Sequence, residues 1–269
     1  MAALSQLQGN SEHVPTILRK ESSSEVFTPK ETPDQRCDVI LVDQNGKELK
    51  AHKQVLLQAS PFFEKLLNSD MKESREGIVR LEMFSESALR NVLQFIYTGE
   101  VQILAEENAR DLVVLSDYFI LPNLKPLAEG ALGDMLNTSN CISAYYFSQT
   151  FQCKELSAKT EKYIIANFTA VYESNREGVL NISSKEMEMW LSSDALNVGT
   201  EEDVFKIILA WIDHDRIKRE KYFAELFRHV RLVFASRDFL SGEILKNDLV
   251  KDNESCLKRV VDAIQLKCP

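Results

Sequence analysis

Every segment that reads as a regular strand in this 269-residue chain lies before residue 105, and the remainder shows only the apolar spacing of helices. Residues 37–43, CDVILVD, are rich in β-branched and aliphatic side chains, and Asn45-Gly46 supplies the two-residue signal of a tight hairpin. Residues 47–52, KELKAH, return as the second strand. Alternating side chains predict a third strand over 77–82, and 101–104 reads as a short fourth strand. The first half therefore contains a small sheet.

Helical patterns fill the rest of the chain. Ser60-Pro61 is the cap and first-turn pair of a predicted helix over 62–70. Apolar residues within 223–230 and within 257–264 fall at i, i+3, i+4 and i+7, which is one face of a helix. Short connections favour antiparallel neighbours. The predicted fold is mostly α-helical, with a small α+β N-terminal half and an all-helical half of antiparallel helix pairs.

The first 35 residues differ from the rest in composition. They are polar, contain three prolines and carry the run Ser22 to Ser24, which is typical of a flexible tail. Two short apolar pieces, 14–18 and 26–27, could dock as a strand or a helix but could not hold structure alone. The predicted organisation is a tail at 1–35, an α+β domain at 36–137 and a helical domain at 138–269.

Charge and hydropathy exclude several classes of partner. The formal net charge is −9, and an acidic protein lacks the usual electrostatic attraction to nucleic acids and anionic membranes. The most basic stretch, 216–231, is interrupted by Glu220 and Glu225 and reads as a solvated helical face. No uninterrupted run of about 18 apolar residues is present, so no membrane span or secretory signal is predicted.

The sequence shows no pattern of a catalytic, metal or cofactor site. The five cysteines form no CxxC pair and favour reduced, buried thiols inside the cell. With four histidines and nine glycines, the chain contains no HExxH, GxSxG, phosphate-loop or dinucleotide-binding motif. Asp38 in a strand and Lys53 at a helix start could form an acid–base pair, but a structural charge pair near an interface is favoured. We expect no enzyme activity and no cofactor.

Five segments of the first half occur in one order and at one spacing: CDVILV (37–42), AHKQVLLQASPFF (51–63), MKES (71–74), FIYTGEV (95–101) and LSDYFILPNLK (115–125). Together they resemble the BTB (POZ) domain of kelch-like proteins. The second half resembles the BACK domain that follows in that family, through segments at 139–168, 194–215 and 225–232. The opening helix pair of that domain, the 3-box, corresponds to about 139–172. The resemblance covers residues 36–267.

This resemblance implies a non-catalytic substrate adaptor of a Cullin-3 ubiquitin ligase. BTB domains of this kind bind the N-terminal helices of Cullin-3 in a groove beside the third helix and its following loop, and a hydrophobic-x-Glu triplet marks that ability. Here the triplet is Met71-Lys72-Glu73, on a predicted exposed loop. Met71 would enter a partner pocket, and Glu73 would accept a hydrogen bond or salt bridge. In the alternative, Met71 caps the core and Glu73 is an ordinary surface charge.

The resemblance implies further cullin contacts outside the triplet. Leu67 on the preceding helix would add apolar contact, and Phe119 and Asn123 would line the opposite wall. Tyr145 and Phe147 would extend that wall in the BACK half. For Leu67 and Phe119 an alternative stays open, because both residues also fit a core stripe.

The resemblance also implies a homodimer formed through the BTB domain, with Asp38 and Lys53 as a charged pair beneath the dimer seam. The family dimerises through a leucine-bearing helix before the first strand, but no long apolar stripe precedes Cys37 here, so the dimer geometry stays open. Relatives capture protein substrates with a C-terminal kelch propeller, whose repeats do not occur in this sequence. We expect a cytoplasmic protein, with the nucleus as a second compartment. The alternative function is a transcriptional or cytoskeletal scaffold that oligomerises through its BTB domain without binding a cullin.

Overall fold

The computed structural model of the protein describes residues 37–70 and 72–267 and, near the N-terminus, the backbone of Thr16–Arg19. The chain divides into two compact units, Met1–Met135 and Leu136–Pro269. Among the described residues, all of the strands lie in the first unit, and the second unit is helical. The predicted fold class, mostly α-helical with a small α+β N-terminal half, is confirmed.

The first unit contains a three-stranded sheet with the order β3-β2-β4. Strand β2 (Val39–Val42) pairs with β3 (Glu48–Ala51) in antiparallel fashion and with β4 (Ile78–Arg80) in parallel. The side chains of Val39, Leu41 and Val42 are buried, which explains the continuous aliphatic run of this central strand. The three strands match three of the predicted ones.

The turn between β2 and β3 follows from its sequence. Gly46 has a φ of 77°, which glycine adopts without steric cost. The carboxylate of Asp43 accepts hydrogen bonds from the backbone N–H groups of Asn45 (2.8 Å) and Lys47 (2.7 Å). These bonds close the hairpin locally, so the predicted hairpin is confirmed.

A second, two-stranded sheet includes part of the predicted N-terminal tail. Strand β1 (Thr16–Arg19) pairs in antiparallel fashion with β5 (Glu100–Ile103), and Thr16 lies opposite Ile103. Part of the apolar piece 14–18 therefore forms a strand, because an edge of β5 is available to pair with it. The other residues before Cys37 lie outside the described part of the chain.

Helices surround the sheets of the first unit. Ser60 caps one helix by accepting from Phe63 N, and Ser85 caps another by accepting from Ala88 N. Gly99 ends the second of these helices at a φ of 72°. The helices of this unit are α1 (Lys53–Ala59), α2 (Pro61–Leu67), α3 (Lys72–Glu76), α4 (Glu86–Thr98), α5 (Glu106–Tyr118) and α6 (Leu124–Asp134).

The second unit consists of helices around one core. Its α-helices are α7 (Cys141–Thr150), α8 (Lys154–Ala166), α9 (Phe168–Ser174), α10 (Arg176–Leu180), α11 (Ser184–Leu191), α12 (Glu201–His214), α13 (Arg216–Arg219), α14 (Phe223–Phe227), α15 (Arg237–Phe239), α16 (Asp248–Lys251) and α17 (Glu254–Gln265). Two of them begin with a capping box: Ser183 pairs with Glu186, and Thr200 pairs with Asp203. The large side chains of Trp190 and Trp211 are fully buried in the core. Over the described residues, no helix is long and apolar enough to cross a lipid bilayer.

Candidate protein-docking surface

The turn between α5 and α6 holds an isoleucine in a backbone conformation that usually requires glycine. Ile120 has a φ of 55°. Its N–H donates to the carbonyl oxygen of Asp117 (3.2 Å), and the N–H of Leu121 donates to that of Ser116 (2.7 Å), which is the Schellman ending of a helix. A β-branched residue in this region is an outlier that costs roughly 1–3 kcal/mol. Strain of this size persists where the surrounding structure imposes it.

The strained turn places apolar side chains at the surface. Ile120 is 51% exposed and Tyr118 is 40% exposed. The half-buried ring of Phe62, on α2, lies 5.1 Å from the ring of Tyr118. We call this surface the α5–α6 patch; it consists of Phe62, Tyr118 and Ile120. An apolar patch of this kind on a folded unit is suited to contact with another protein.

Phe119, between the two exposed residues, lies in the core. It is 1% exposed, and its ring stacks on that of Phe63 at 4.9 Å between centroids. The prediction that Phe119 lines a binding wall is therefore wrong. The left-handed backbone at Ile120 reverses the direction of the chain, so the neighbours of Phe119 point outward while Phe119 points inward.

Two further predicted contact residues are also buried. Leu67 lies one helical turn after Phe63 on the same inward face of α2 and is fully buried. Tyr145 packs its ring against Trp190 in the core of the second unit, at 5.6 Å between centroids. Neither side chain presents a surface to a partner, which corrects both predictions. The core alternative was right for Leu67 and Phe119.

The predicted loop after α2 is a short helix. Lys72–Glu76 forms α3, and the hydroxyl group of Ser74 donates to the carbonyl oxygen of Leu67 (2.6 Å), which joins α3 to the end of α2. Glu73 lies in the first turn of α3 and is half-buried. Met71 lies outside the described residues, so its role stays a prediction.

The remaining predicted contact residues lie in two different places. Asn123 is exposed at the N-terminus of α6, and no helix-capping bond is made by its side chain. Phe147, on α7, is half-buried, with its ring 4.6 Å from that of Phe151. Both are therefore at least partly accessible, and their binding roles stay predictions.

Asp38 and Lys53 meet through the backbone. The carboxylate of Asp38 accepts a hydrogen bond of 2.6 Å from the backbone N–H of Lys53, the first residue of α1. The predicted side-chain charge pair is thus a helix-start contact here, because an orphan N–H at the first turn is a better-placed donor than a long flexible ammonium group. Their role at a dimer seam stays a prediction.

A small pocket opens beside the α5–α6 patch. Its volume is about 320 Å³. Lys125 and Asp117 both line the pocket and form an ion pair, with 2.8 Å between Nζ of Lys125 and Oδ2 of Asp117. Ile120 and Leu121 supply apolar lining, and Glu129 on α6 contributes a carboxyl group. The pocket therefore combines apolar walls with charged groups, which suits the end of a partner side chain.

The described residues contain no metal-binding cluster, and two of their buried cysteines are not activated. In the parts of the chain that the structure describes, no group of three or more His, Cys, Asp or Glu side chains could hold a metal ion. Burial raises the pKa of the Cys141 thiol to about 11, and it also raises the pKa of Cys256. Both thiols therefore stay protonated at neutral pH, which is the opposite of an activated nucleophile.

Tyr118 and Ile120 were missed by reasoning from the sequence. The relevant signal was Leu121-Pro122, because proline is common one or two residues after a helix end and the residue at the end itself often turns left-handed. That signal places the reversal at about residue 120. It does not reveal that an isoleucine would accept the strained conformation.

Comparison with known proteins places both units in families. The family model described as "BTB/POZ domain" matches residues 27–136, and the model described as "BACK: BTB And C-terminal Kelch" matches residues 141–244. Kelch-like protein 17 of Mus musculus is 32% identical over 229 residues, which cover 85% of this chain and 35% of that protein. Kelch-like protein 2 of Homo sapiens is 31% identical over 229 residues, covering 85% of this chain and 38% of that protein.

The chain thus spans little more than a third of the length of these curated relatives. The BTB (Tramtrack and Bric a brac) domain of human gigaxonin aligns with 30% identity and a TM-score of 0.33, covering 37% of this chain and 80% of that structure. The BTB model matches first along the chain and the BACK model second. This is the same order in which the sequence resembles the two domains. The chain therefore belongs to the kelch-like family of proteins, in which a BTB domain is followed by a BACK domain.

Proposed function

We propose that the protein is a non-catalytic substrate adaptor of a Cullin-3 RING ubiquitin ligase. Its BTB domain binds the N-terminal region of the cullin and mediates homodimerisation, and the 3-box of the BACK domain extends the contact. The protein acts in the cytoplasm and also in the nucleus. Membership of the kelch-like family supports this function at the level of domain order.

The observation that carries the proposal is the exposed Ile120 in a left-handed turn. A solvent-facing residue has no packing reason to be apolar or β-branched in that conformation, where glycine or asparagine costs less. Partner binding supplies the reason, because an apolar anchor that is held rigidly loses little conformational entropy on docking. Tyr118 and Phe62 widen the anchor into a surface.

Glu73 adds a polar contact to the apolar one. It lies in the first turn of α3, which is tied to α2 through Ser74, and α2 also carries Phe62 of the patch. A carboxylate near an apolar anchor selects partners with a matching donor and disfavours acidic ones. The pair Met71 and Glu73 is therefore proposed as the apolar and the polar part, respectively, of one cullin contact.

The proposed role of the adaptor is to bring a substrate close to the ligase. One domain holds the ligase, and a substrate-binding domain, such as the kelch propeller of longer relatives, holds the substrate. Linking the two raises the effective concentration of substrate near the ligase without any bond-making residue in the adaptor. A BTB homodimer would double the number of such sites in one assembly.

The test is titration calorimetry with the Cullin-3 N-terminal domain. Replacing both Met71→Ala and Glu73→Ala should weaken binding by about 2–4 kcal/mol, because both side chains are proposed as central contacts. The control is Glu177→Ala with Met189→Ala, which removes the same two residue types from exposed positions on α10 and α11. Circular dichroism checks that both variants fold.

Two outcomes oppose the proposal. Equal affinity of the double variant and the wild type would exclude the triplet as a cullin contact. Intact dimers with no cullin binding by the wild-type chain, measured by size-exclusion chromatography with light scattering, would instead favour a scaffold that only oligomerises.

A further inference from the structure

An open cleft in the second unit has a volume of about 790 Å³. Its lining comes from α7, from the turn that leads into α11 and from the segment that follows α12. Part of that segment belongs to the most basic stretch of the sequence, 216–231. This stretch is therefore more than a solvated helical face, because some of its residues line a concave surface.

Arg219 is held in the cleft by main-chain and aromatic contacts. Its Nη1 donates to the carbonyl oxygens of Leu180 (2.7 Å) and Trp211 (2.8 Å), and its guanidinium carbon lies 4.2 Å from the centroid of the Trp211 ring. Within 37–70 and 72–267, its Nε and Nη2 make no hydrogen bond or ion pair. These two nitrogens form the edge of a guanidinium group that binds a carboxylate through two parallel hydrogen bonds. Arg219 is thus fixed in place with this edge free.

Lys221 adds a second cation that has no carboxylate partner. It is exposed, and its Nζ lies 4.9 Å from the centroid of the Tyr222 ring and also hydrogen-bonds to the hydroxyl group of that tyrosine. In the part of the chain that the structure describes, Lys221 forms no ion pair. A third cation, Lys218, is paired with Asp215 at 2.8 Å.

The cleft carries one positive charge in excess. The charged residues of its lining are three cations and two acids: Lys218, Arg219, Lys221, Glu186 and Asp215. The carboxylate of Glu186 accepts from the backbone N–H of Ser183 (2.6 Å) and from the hydroxyl group of Tyr146 (2.9 Å), so it is engaged at the start of α11. The formal net charge of the whole chain is −9, which makes a cleft of opposite sign a local departure.

We propose that this cleft binds an acidic segment of a partner protein, in which one glutamate or aspartate is flanked by aliphatic residues. The carboxylate would accept two hydrogen bonds from the free edge of Arg219 and would lie near Lys221. The flanking aliphatic side chains would contact Ile217, which lines the cleft and is 99% exposed. This binding does not depend on a cullin, because none of these residues belongs to the α5–α6 patch or to the triplet at 71–73.

A single carboxylate matches the cleft better than other ligands do. It balances the one excess charge, whereas a phosphoserine carries roughly −1.5 to −2 charges at pH 7. A nucleic acid would be repelled by the rest of the acidic chain. In the described ranges, no cluster of three or more side chains could hold a metal ion. The volume lies within the range of ligand pockets, roughly 300–1,000 Å³, and accommodates several residues of a peptide.

The test is a titration of the full chain with two N-acetylated, C-amidated peptides, GSLELSG and GSLQLSG in one-letter code. The methyl resonances of Ile217 report binding. The glutamate peptide should bind at least about fivefold more tightly than the glutamine peptide, because only the carboxylate forms charge-assisted hydrogen bonds with Arg219. Equal affinities, or no shift of Ile217 with either peptide, would overturn the inference.

Three variants locate the binding. Lys221→Gln removes an exposed cation and should weaken binding of the glutamate peptide about threefold without changing that of the glutamine peptide. Arg219→Lys keeps the charge but loses the two-donor edge, and it should weaken binding of the glutamate peptide by at least about threefold. Lys258→Gln is the matched control, because Lys258 is exposed on α17 and does not line the cleft; its affinities should stay within about twofold of the wild type.

The remaining outcomes also decide the question. Equal behaviour of Lys221→Gln and Lys258→Gln would show that the cleft does not bind the peptide. Tighter binding of a third peptide, with phosphoserine in place of glutamate, would overturn the assignment to a carboxylate. Arg219→Lys also removes the bonds to Leu180 and Trp211, so circular dichroism checks its fold. If that variant does not fold, Lys221→Gln decides, because Lys221 is exposed and anchors no carbonyl group.

Discussion

Ser60 donates a hydrogen bond from its buried hydroxyl group to the carbonyl oxygen of Phe119. The same hydroxyl oxygen accepts from the backbone N–H of Phe63 (3.3 Å) and so caps α2. One small side chain therefore joins the beginning of α2 to the end of α5, the two elements that carry the α5–α6 patch. The position of the patch depends on this contact.

Replacing Ser60→Ala should lower the free energy of unfolding of the first unit by about 2 kcal/mol. The substitution removes a helix cap and leaves the carbonyl oxygen of Phe119 buried without its donor. Urea denaturation followed by circular dichroism measures the change. Ser85→Ala, which removes the cap of α4 alone, should cost about 1 kcal/mol. Equal losses for the two variants would show that the bond to Phe119 contributes nothing to stability.

The strain at Ile120 gives a prediction in which stability and binding move in opposite directions. Ile120→Gly relieves the left-handed conformation and should raise the free energy of unfolding by about 1 kcal/mol, while removing an apolar anchor from the docking surface. Cullin binding should therefore weaken although the protein becomes more stable. Urea denaturation and calorimetry measure the two effects on the same sample.

Gln152 provides the matched control for this variant. It has a φ of 54° and lies in the same kind of helix ending, between α7 and α8, where Cys153 N donates to the carbonyl oxygen of Ser148 (2.8 Å). Gln152→Gly should stabilise the protein by a similar amount and, because it removes no apolar anchor, should weaken cullin binding less than Ile120→Gly does. A loss of stability in Ile120→Gly would mean that packing of the isoleucine outweighs the backbone strain.

Features set by neighbouring residues could be predicted from the sequence, and features set by a change of chain direction could not. The hairpin at Asn45-Gly46 and the cap of α2 by Ser60 depend on residues within three positions of each other, so their patterns were sufficient. Phe119 was assigned to the surface and Ile120 was missed, because the left-handed residue at the helix end breaks the 3.6-residue periodicity.

Non-local pairing limited the prediction in the same way. Strand Thr16–Arg19 forms because β5, more than 80 residues further along the chain, offers a free edge, and no local pattern indicates that partner.

Tyr145 and Tyr146 show that burial within a helix is equally hard to predict from local sequence. Tyr145 faces the core, whereas Tyr146 is exposed enough for its hydroxyl group to donate to Glu186 (2.9 Å). Which of two adjacent tyrosines is buried depends on the packing of α7 against distant helices.

His229 makes the stability of the second unit depend on pH. Its pKa is lowered below 6.5, first because burial disfavours the charged form and then because Arg228 and Arg259 repel it, whereas Glu188 acts in the opposite direction. The unfolded chain therefore binds a proton more readily than the folded chain. Stability is unaffected above pH 6.5 and is lost as the pH falls below that value.

His229→Gln should reduce this loss. Urea midpoints at pH 7.5 and pH 5.5 should differ less in the variant than in the wild type, because the side chain that must protonate is gone. His214→Gln, which removes an exposed histidine at the end of α12, serves as the control and should keep the wild-type difference. A His229→Gln variant with an unchanged pH dependence would locate the effect elsewhere.

A buried ion pair joins α12 to the segment before Leu232. The carboxylate of Glu201 is almost fully buried and accepts hydrogen bonds from the backbone N–H of Arg231 (2.9 Å) and from its Nε (2.6 Å). Arg231→Ala leaves this carboxylate buried with a single donor, so the free energy of unfolding of the second unit should fall by about 2–3 kcal/mol. Arg228→Ala breaks the exposed pair with Glu188 and should cost less than about 1 kcal/mol.

Adding Glu201→Gln to Arg231→Ala should restore part of the lost stability, because a neutral amide is less costly to bury than an unpaired carboxylate. Urea denaturation of the four proteins tests the order, and a double variant less stable than Arg231→Ala alone would contradict the electrostatic explanation.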